Sequence, residues 1–128
     1  MGHGSSDLAV ATDLLQAHAE NLAARGLFGA VAAGFLRGTP SVEEALASLP
    51  QREVYVVPFF LGRGYFTEVA VPGRLNLSSS ANCLHEVGKR VLFYCAPVGC
   101  SPQFDAALAP MGRHACAASG LSGSSTAL

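Results

Sequence analysis

The order of apolar and polar positions divides the chain into a few elements, and the clearest is Val54 to Leu61. This stretch, Val-Tyr-Val-Val-Pro-Phe-Phe-Leu, is an unbroken apolar run rich in β-branched and aromatic side chains. With no polar alternation, the pattern predicts a strand covered on both faces, as in a parallel sheet flanked by helices. The run leads into Gly62-Arg63-Gly64. The two glycines are expected to let the backbone turn sharply and approach a ligand closely, at the strand end where open α/β sheets place their sites.

Upstream, Leu8, Ala11, Leu15, His18 and Leu22 recur at three- and four-residue spacing, which predicts an amphipathic helix from Asp7 to about Ala24, stopped near Gly26. His18 lies on its apolar stripe and reads as a boundary histidine, with one nitrogen reaching solvent or a backbone group. Val31 to Leu36 is expected to be a short buried strand, and Gly38 to Ser41 a turn into a helix over Val42 to Leu49. Ser41 and Glu44 have the spacing of a capping box, and Pro50 closes the helix. Thr67 to Leu75 predicts a short helix limited by Pro72 and Gly73, and Leu77 to Asn82 a loop. Lys89 to Ala96 is the next strand, followed by a glycine-containing loop and a helix over Gln103 to Leu108. Beyond Gly112 the chain turns to Ala, Ser and Gly, with little intrinsic order expected.

The resulting order is a run of βαβ units, hence an α/β domain over residues 1–112 and a tail over 113–128. A first strand should precede His3, yet only Met1 and Gly2 do, so that strand is expected to be missing from the chain.

Composition narrows the functional classes. At 128 residues one domain is expected. The net charge is -1, only 13% of residues are charged, and no Lys/Arg cluster exists to track phosphates, so nucleic acid is not an expected partner. Cys83, Cys95, Cys100 and Cys116 form no C-x-x-C pair, and the amino terminus lacks the basic-then-apolar pattern of a leader. Reduced thiols in a cytoplasm are expected. The longest apolar run falls far short of the ~18 residues of a membrane span.

Four stretches stand in register. They are Gly2-His3-Gly4-Ser5 before the first helix, Gly34-Phe35-Leu36 followed by Pro40 to Leu46, Val57-Pro58-Phe59-Phe60-Leu61 with Gly64, and Ala96-Pro97-Val98-Gly99 with Pro102. Together they resemble the short-form sirohydrochlorin cobaltochelatases and ferrochelatases, CbiX-like class II chelatases, over about residues 2–109. The resemblance implies a chelatase-like three-layer sandwich, with a parallel sheet between helices and a tetrapyrrole cleft at the strand ends. It also implies a homodimer, no permanently bound cofactor, and a divalent metal, Co²⁺ or Fe²⁺, as substrate.

In that family the histidine of the Gly-His-Gly-Ser loop binds the incoming metal or accepts pyrrole protons, so the role falls on His3. A neutral imidazole suits either task near neutral pH. Family members place a second histidine two residues past the last glycine of the turn, where this chain has Phe66, and an acidic residue where it has Ala70. Arg37 and Ser101 stand where the family commonly has glutamate and histidine. Glu68 is the nearest replacement donor. The candidate site is then His3 and Glu68 for metal and protons, with Ser5, Arg63, Gly64, Tyr65 and Phe66 binding substrate. A domain that binds tetrapyrrole, metal or a partner without turnover is the alternative that Phe66 raises. A hydrolase built on His3, Ser5 and Asp7 lacks a Gly-x-Ser-x-Gly elbow.

Overall fold

The computed structural model describes residues 8–78 and 82–119. Helix α1 (Leu8–Ala24) leads through a loop to α2 (Val42–Ser48) and strand β1 (Glu53–Val56). A π-helical turn (Phe66–Ala70) and the short α3 (Val71–Arg74) follow, then β2 (Cys83–Val87), β3 (Arg90–Tyr94), a 3-10 turn (Val98–Cys100) and α4 (Pro102–Ser119).

The sheet has the order β1-β3-β2. The β1-β3 pair is parallel, with Tyr55 opposite Phe93, and β2 adds an antiparallel edge, with Leu84 opposite Phe93. The α/β class with a sheet containing parallel strands and packed by helices therefore stands. The edge strand β2 went unread because Cys83 to Val87 lacks a long apolar run. Its signal is the two-residue Gly88-Lys89 turn, where Gly88 has φ 61°, the left-handed value that a tight hairpin demands of its first central residue.

The core lies on one face of this sheet. Val54, Val56, Leu92 and Tyr94 point into it and meet Val42 of α2, Val71 of α3, Leu75 and Leu77. A capping box opens α2: Glu44 N donates to Ser41 Oγ at 3.2 Å, and Ser41 N donates to Glu44 Oε2 at 2.7 Å. Arg90 ties β3 to the other end of α2 by donating to the carbonyls of Leu46 and Leu49, the Leu46 oxygen accepting also from Leu49 N at 3.3 Å. Arg74 joins α3 to α2 through Glu43 at 2.7 Å and donates to the Leu36 carbonyl at 2.6 Å. His85 Nε2 and Gln51 Oε1 are buried with no hydrogen-bond partner among the described residues.

Three expectations need correction. Val31 to Leu36 is not a strand: it forms a single bridge, Phe35 with Ser41. The segment packs on α2 instead, so closely that a Cβ on Gly34 would stand 2.8 Å from that of Ala45. Regular strand ends at Val56, and among the described residues it is covered on one face only, since Tyr55 and Val57 are exposed. Finally, α4 does not stop at Leu108 but runs to Ser119. Alanine favours helix even where few large apolar side chains pack.

Candidate functional site

The carboxyl ends of the parallel strands β1 and β3 stay hydrogen-bonded beyond their regular parts. Cys95 N donates to Val56 O at 2.9 Å, Val98 N to Pro58 O at 3.0 Å and Gly99 N to Phe60 O at 3.0 Å. The contact is closest at Gly99, where a Cβ would lie 1.9 Å from the Leu61 carbonyl oxygen. Only a residue without a side chain fits there. By contrast, a Cβ on Gly62 or Gly64 would meet nothing within 4 Å, and neither has a left-handed φ. The glycine that this strand end requires is therefore Gly99.

Thr67 organises the turn after β1. Its hydroxyl accepts from Gly64 N at 3.0 Å and donates to Gly64 O at 3.1 Å. The amides of Thr67 and Glu68 converge on that same carbonyl. From the core, the hydroxyl of fully buried Tyr94 donates to the Thr67 carbonyl at 2.6 Å. Burial, and then the nearby Glu68 carboxylate, push the Tyr94 phenol up to about 12. The chain then widens into a π turn, with Val71 N reaching Phe66 O. Pro72 accounts for this geometry, because a proline has no N-H and its ring crowds the carbonyl four residues back.

The anchored turn holds the candidate side chains outward. Arg63, Gly64, Tyr65 and Phe66 line an open depression of about 210 Å³ together with Phe60 and Thr67. The Phe66 ring stacks on Phe60 with centroids 6.0 Å apart, and Tyr65 meets Phe66 edge-on at 5.7 Å. Tyr65 is 68% exposed, so it does not close the core beneath the turn. Exposed Glu68 sits in the first turn of the π helix. His18, exposed on α1, lies 5.4 Å from the ring of Phe59, a boundary position as its stripe implied.

His3 and Ser5 lie outside the described residues. Sequence reasoning brought Arg63, Gly64, Tyr65, Phe66 and Glu68 to one turn, and the fold places them there. It missed Thr67 and Tyr94, whose signal is weak: a threonine three residues past a glycine, and a tyrosine ending an apolar strand. Among the described residues, no group of three or more His, Cys, Asp or Glu stands close enough to hold a metal ion. What the turn offers is an aromatic shelf with the Arg63 guanidinium in its lining, and the exposed carboxylate of Glu68 two residues past Phe66. Such a surface can stack a flat conjugated ring and pair with its acidic substituents.

A family model described as CbiX matches residues 1–111. A relative from Halobacterium salinarum, named probable sirohydrochlorin cobaltochelatase, is 32% identical over 113 residues, a match covering 77% of this chain and 39% of that protein. The solved structure of a multi-domain protein from Deinococcus radiodurans, described as similar to chelatases and as having two additional novel domains, agrees with a TM-score of 0.74. It is 29% identical, and the match covers 89% of this chain and 26% of that one. The chain thus spans well under half the length of either protein.

Proposed function

The chain belongs to the CbiX family, and on that premise we propose that it acts as a tetrapyrrole chelatase, inserting a divalent metal, Co²⁺ or Fe²⁺, into sirohydrochlorin or a related tetrapyrrole. The observation that carries this reading is the aromatic shelf of Phe60, Tyr65 and Phe66 at the carboxyl ends of paired parallel strands. The macrocycle stacks on that shelf, the bare backbone of Gly64 and the small side chain of Ser5 approach it, and Arg63 pairs with its carboxylates. Insertion removes two pyrrole N-H protons. His3 holds the metal or takes one of these protons, Glu68 takes one, and solvent accepts any that remains.

The metal is a substrate here, and no resident cofactor takes part. In this reading the working form is a homodimer in the cytoplasm. Among the described residues no helix is long and apolar enough to cross a membrane. The test is the visible spectral shift of sirohydrochlorin with Co²⁺. The protein should accelerate it over buffer, and His3→Ala should remove the acceleration; no acceleration by the unaltered chain would overturn the reading.

A second reading draws on the Phe66 ring, which is stacked on Phe60 where the family has a histidine. In it, the chain binds tetrapyrrole without turnover. Titration with sirohydrochlorin separates the two, because saturable binding with no rate effect favours binding alone.

A further inference from the structure

The depression after β1 is rich in apolar surface and poor in groups that can hold an anion. Arg63 is the one cation in its lining, beside Phe60, Leu61, Tyr65 and Phe66. The chain has 8 Lys and Arg in all, and every one lies among the described residues. The others stand elsewhere. Arg74 and Arg90 donate to the Glu43 carboxylate and to the carbonyls of Leu36, Leu46 and Leu49. Arg52 immediately precedes β1 and Lys89 immediately precedes β3. Because these strands run parallel, both cations are at the opposite end of the sheet from a turn that follows β1. Arg25, Arg37 and Arg113 do not line the depression.

The turn also uses up donors that could replace a cation. Gly64 N donates to Thr67 Oγ1, the Thr67 hydroxyl donates to Gly64 O, and the amides of Thr67 and Glu68 donate to that same carbonyl. A flat ring on Phe60, Tyr65 and Phe66 gains from its apolar face, and the Arg63 guanidinium can pair with a carboxylate on its edge. Each further carboxylate finds no cation in the lining and must keep its water. The charged residue that follows along the chain, Glu68, has the same sign as the ligand.

We propose that this turn selects a tetrapyrrole whose periphery is mainly alkyl, and that affinity falls as peripheral carboxylates are added. The inference rests on the chelatase reading above and chooses among the tetrapyrroles which that reading admits. Specificity of this kind is a difference between two affinities, so it is measured with a matched pair of ligands.

Coproporphyrin and uroporphyrin supply the pair, since they share one flat ring and differ in that methyl groups of the first are acetates in the second. In titrations of the full chain followed by porphyrin fluorescence, coproporphyrin should bind at least about tenfold more tightly. Two variants at exposed positions, each checked for folding by circular dichroism, locate the cause. Leu61→Lys, at a side chain 78% exposed, adds a second cation to the lining and should strengthen uroporphyrin binding, narrowing the ratio. Tyr65→Ala, at a side chain 68% exposed, should weaken both porphyrins alike, because the ring is common to them. Uroporphyrin binding as tightly as coproporphyrin overturns the proposal. So does a ratio that Leu61→Lys leaves unchanged, or binding that ignores Tyr65→Ala. Binding of neither porphyrin overturns the tetrapyrrole reading itself and the inference with it, whereas loss of selectivity alone leaves metallation of sirohydrochlorin as a separate readout.

Discussion

The hydroxyl of Tyr94, at the end of β3, donates to the carbonyl oxygen of Thr67 at 2.6 Å, tying the glycine turn after β1 to the neighbouring strand. Thr67 in turn closes on both backbone groups of Gly64. One buried phenol thus orients the whole stretch that carries Arg63, Tyr65, Phe66 and Glu68. Tyr94→Phe keeps the ring and leaves the Thr67 carbonyl unpaired in the core. The expected cost is about 1–2 kcal/mol in urea denaturation. Faster hydrogen exchange at the Thr67 and Glu68 amides, with β2 unchanged, would locate the loosening in the turn. Equal exchange everywhere would mean that the bond does not anchor it.

The same phenol sets an alkaline limit on stability. An unfolded tyrosine titrates near 10, whereas burial and Glu68 push Tyr94 up to about 12 in the folded chain. The folded state therefore holds the proton more tightly, and its advantage is complete below pH 10. As pH rises from 10 through 12, the unfolded chain releases the proton first, and unfolding becomes easier by about 1.4 kcal/mol per pH unit. Denaturation midpoints followed from pH 9 to 12 should fall for the unaltered chain. In Tyr94→Phe this component of the slope should be absent.

Gly99 and Gly62 look alike in sequence but differ in what surrounds them. Gly99→Ala puts a methyl group 1.9 Å from the Leu61 carbonyl oxygen, and backbone cannot swing aside as a flexible side chain can. The expected loss exceeds ~3 kcal/mol, among the largest single-substitution costs. A Cβ on Gly62 meets nothing within 4 Å, and Gly62→Ala should change stability by less than about 1 kcal/mol. Thermal melts of the two variants give the comparison, and equal losses would refute this account of the strand contact.

These contrasts show which parts of the chain were legible in sequence. The helix α2 was readable because its capping box is local, Ser41 and Glu44 satisfying each other's backbone amides three residues apart. The strand after it was readable as an apolar run, but the run implied cover on both faces where the described residues cover one, because an apolar pattern does not say which partners pack. The hairpin β2-β3 and the wedge at Gly99 depend on which strands become neighbours, as does the Tyr94-Thr67 bond, whose partners lie 27 residues apart. At the site, Arg63 to Glu68 could be read as a block because they occupy one turn. The geometry of that block could not, because Pro72 reshapes it from outside.

Phe66 is the residue on which the chemistry turns. Its ring stacks on Phe60 at the mouth of the depression, at the position where the resemblance implies a histidine. Imidazole is smaller than phenyl and keeps a flat face, so Phe66→His should preserve the stack with Phe60 while adding a nitrogen donor to the lining of the depression. A neutral imidazole is an effective ligand for Co²⁺. The variant should bind Co²⁺ at least tenfold more tightly in calorimetric titration, with its thermal midpoint within a few degrees of the unaltered chain. If the chain is a chelatase working with fewer donors, the initial rate of sirohydrochlorin metallation should rise as well. If it only binds, affinity should rise and the rate should not. Unchanged Co²⁺ affinity in a folded variant would show that position 66 does not face the metal's path.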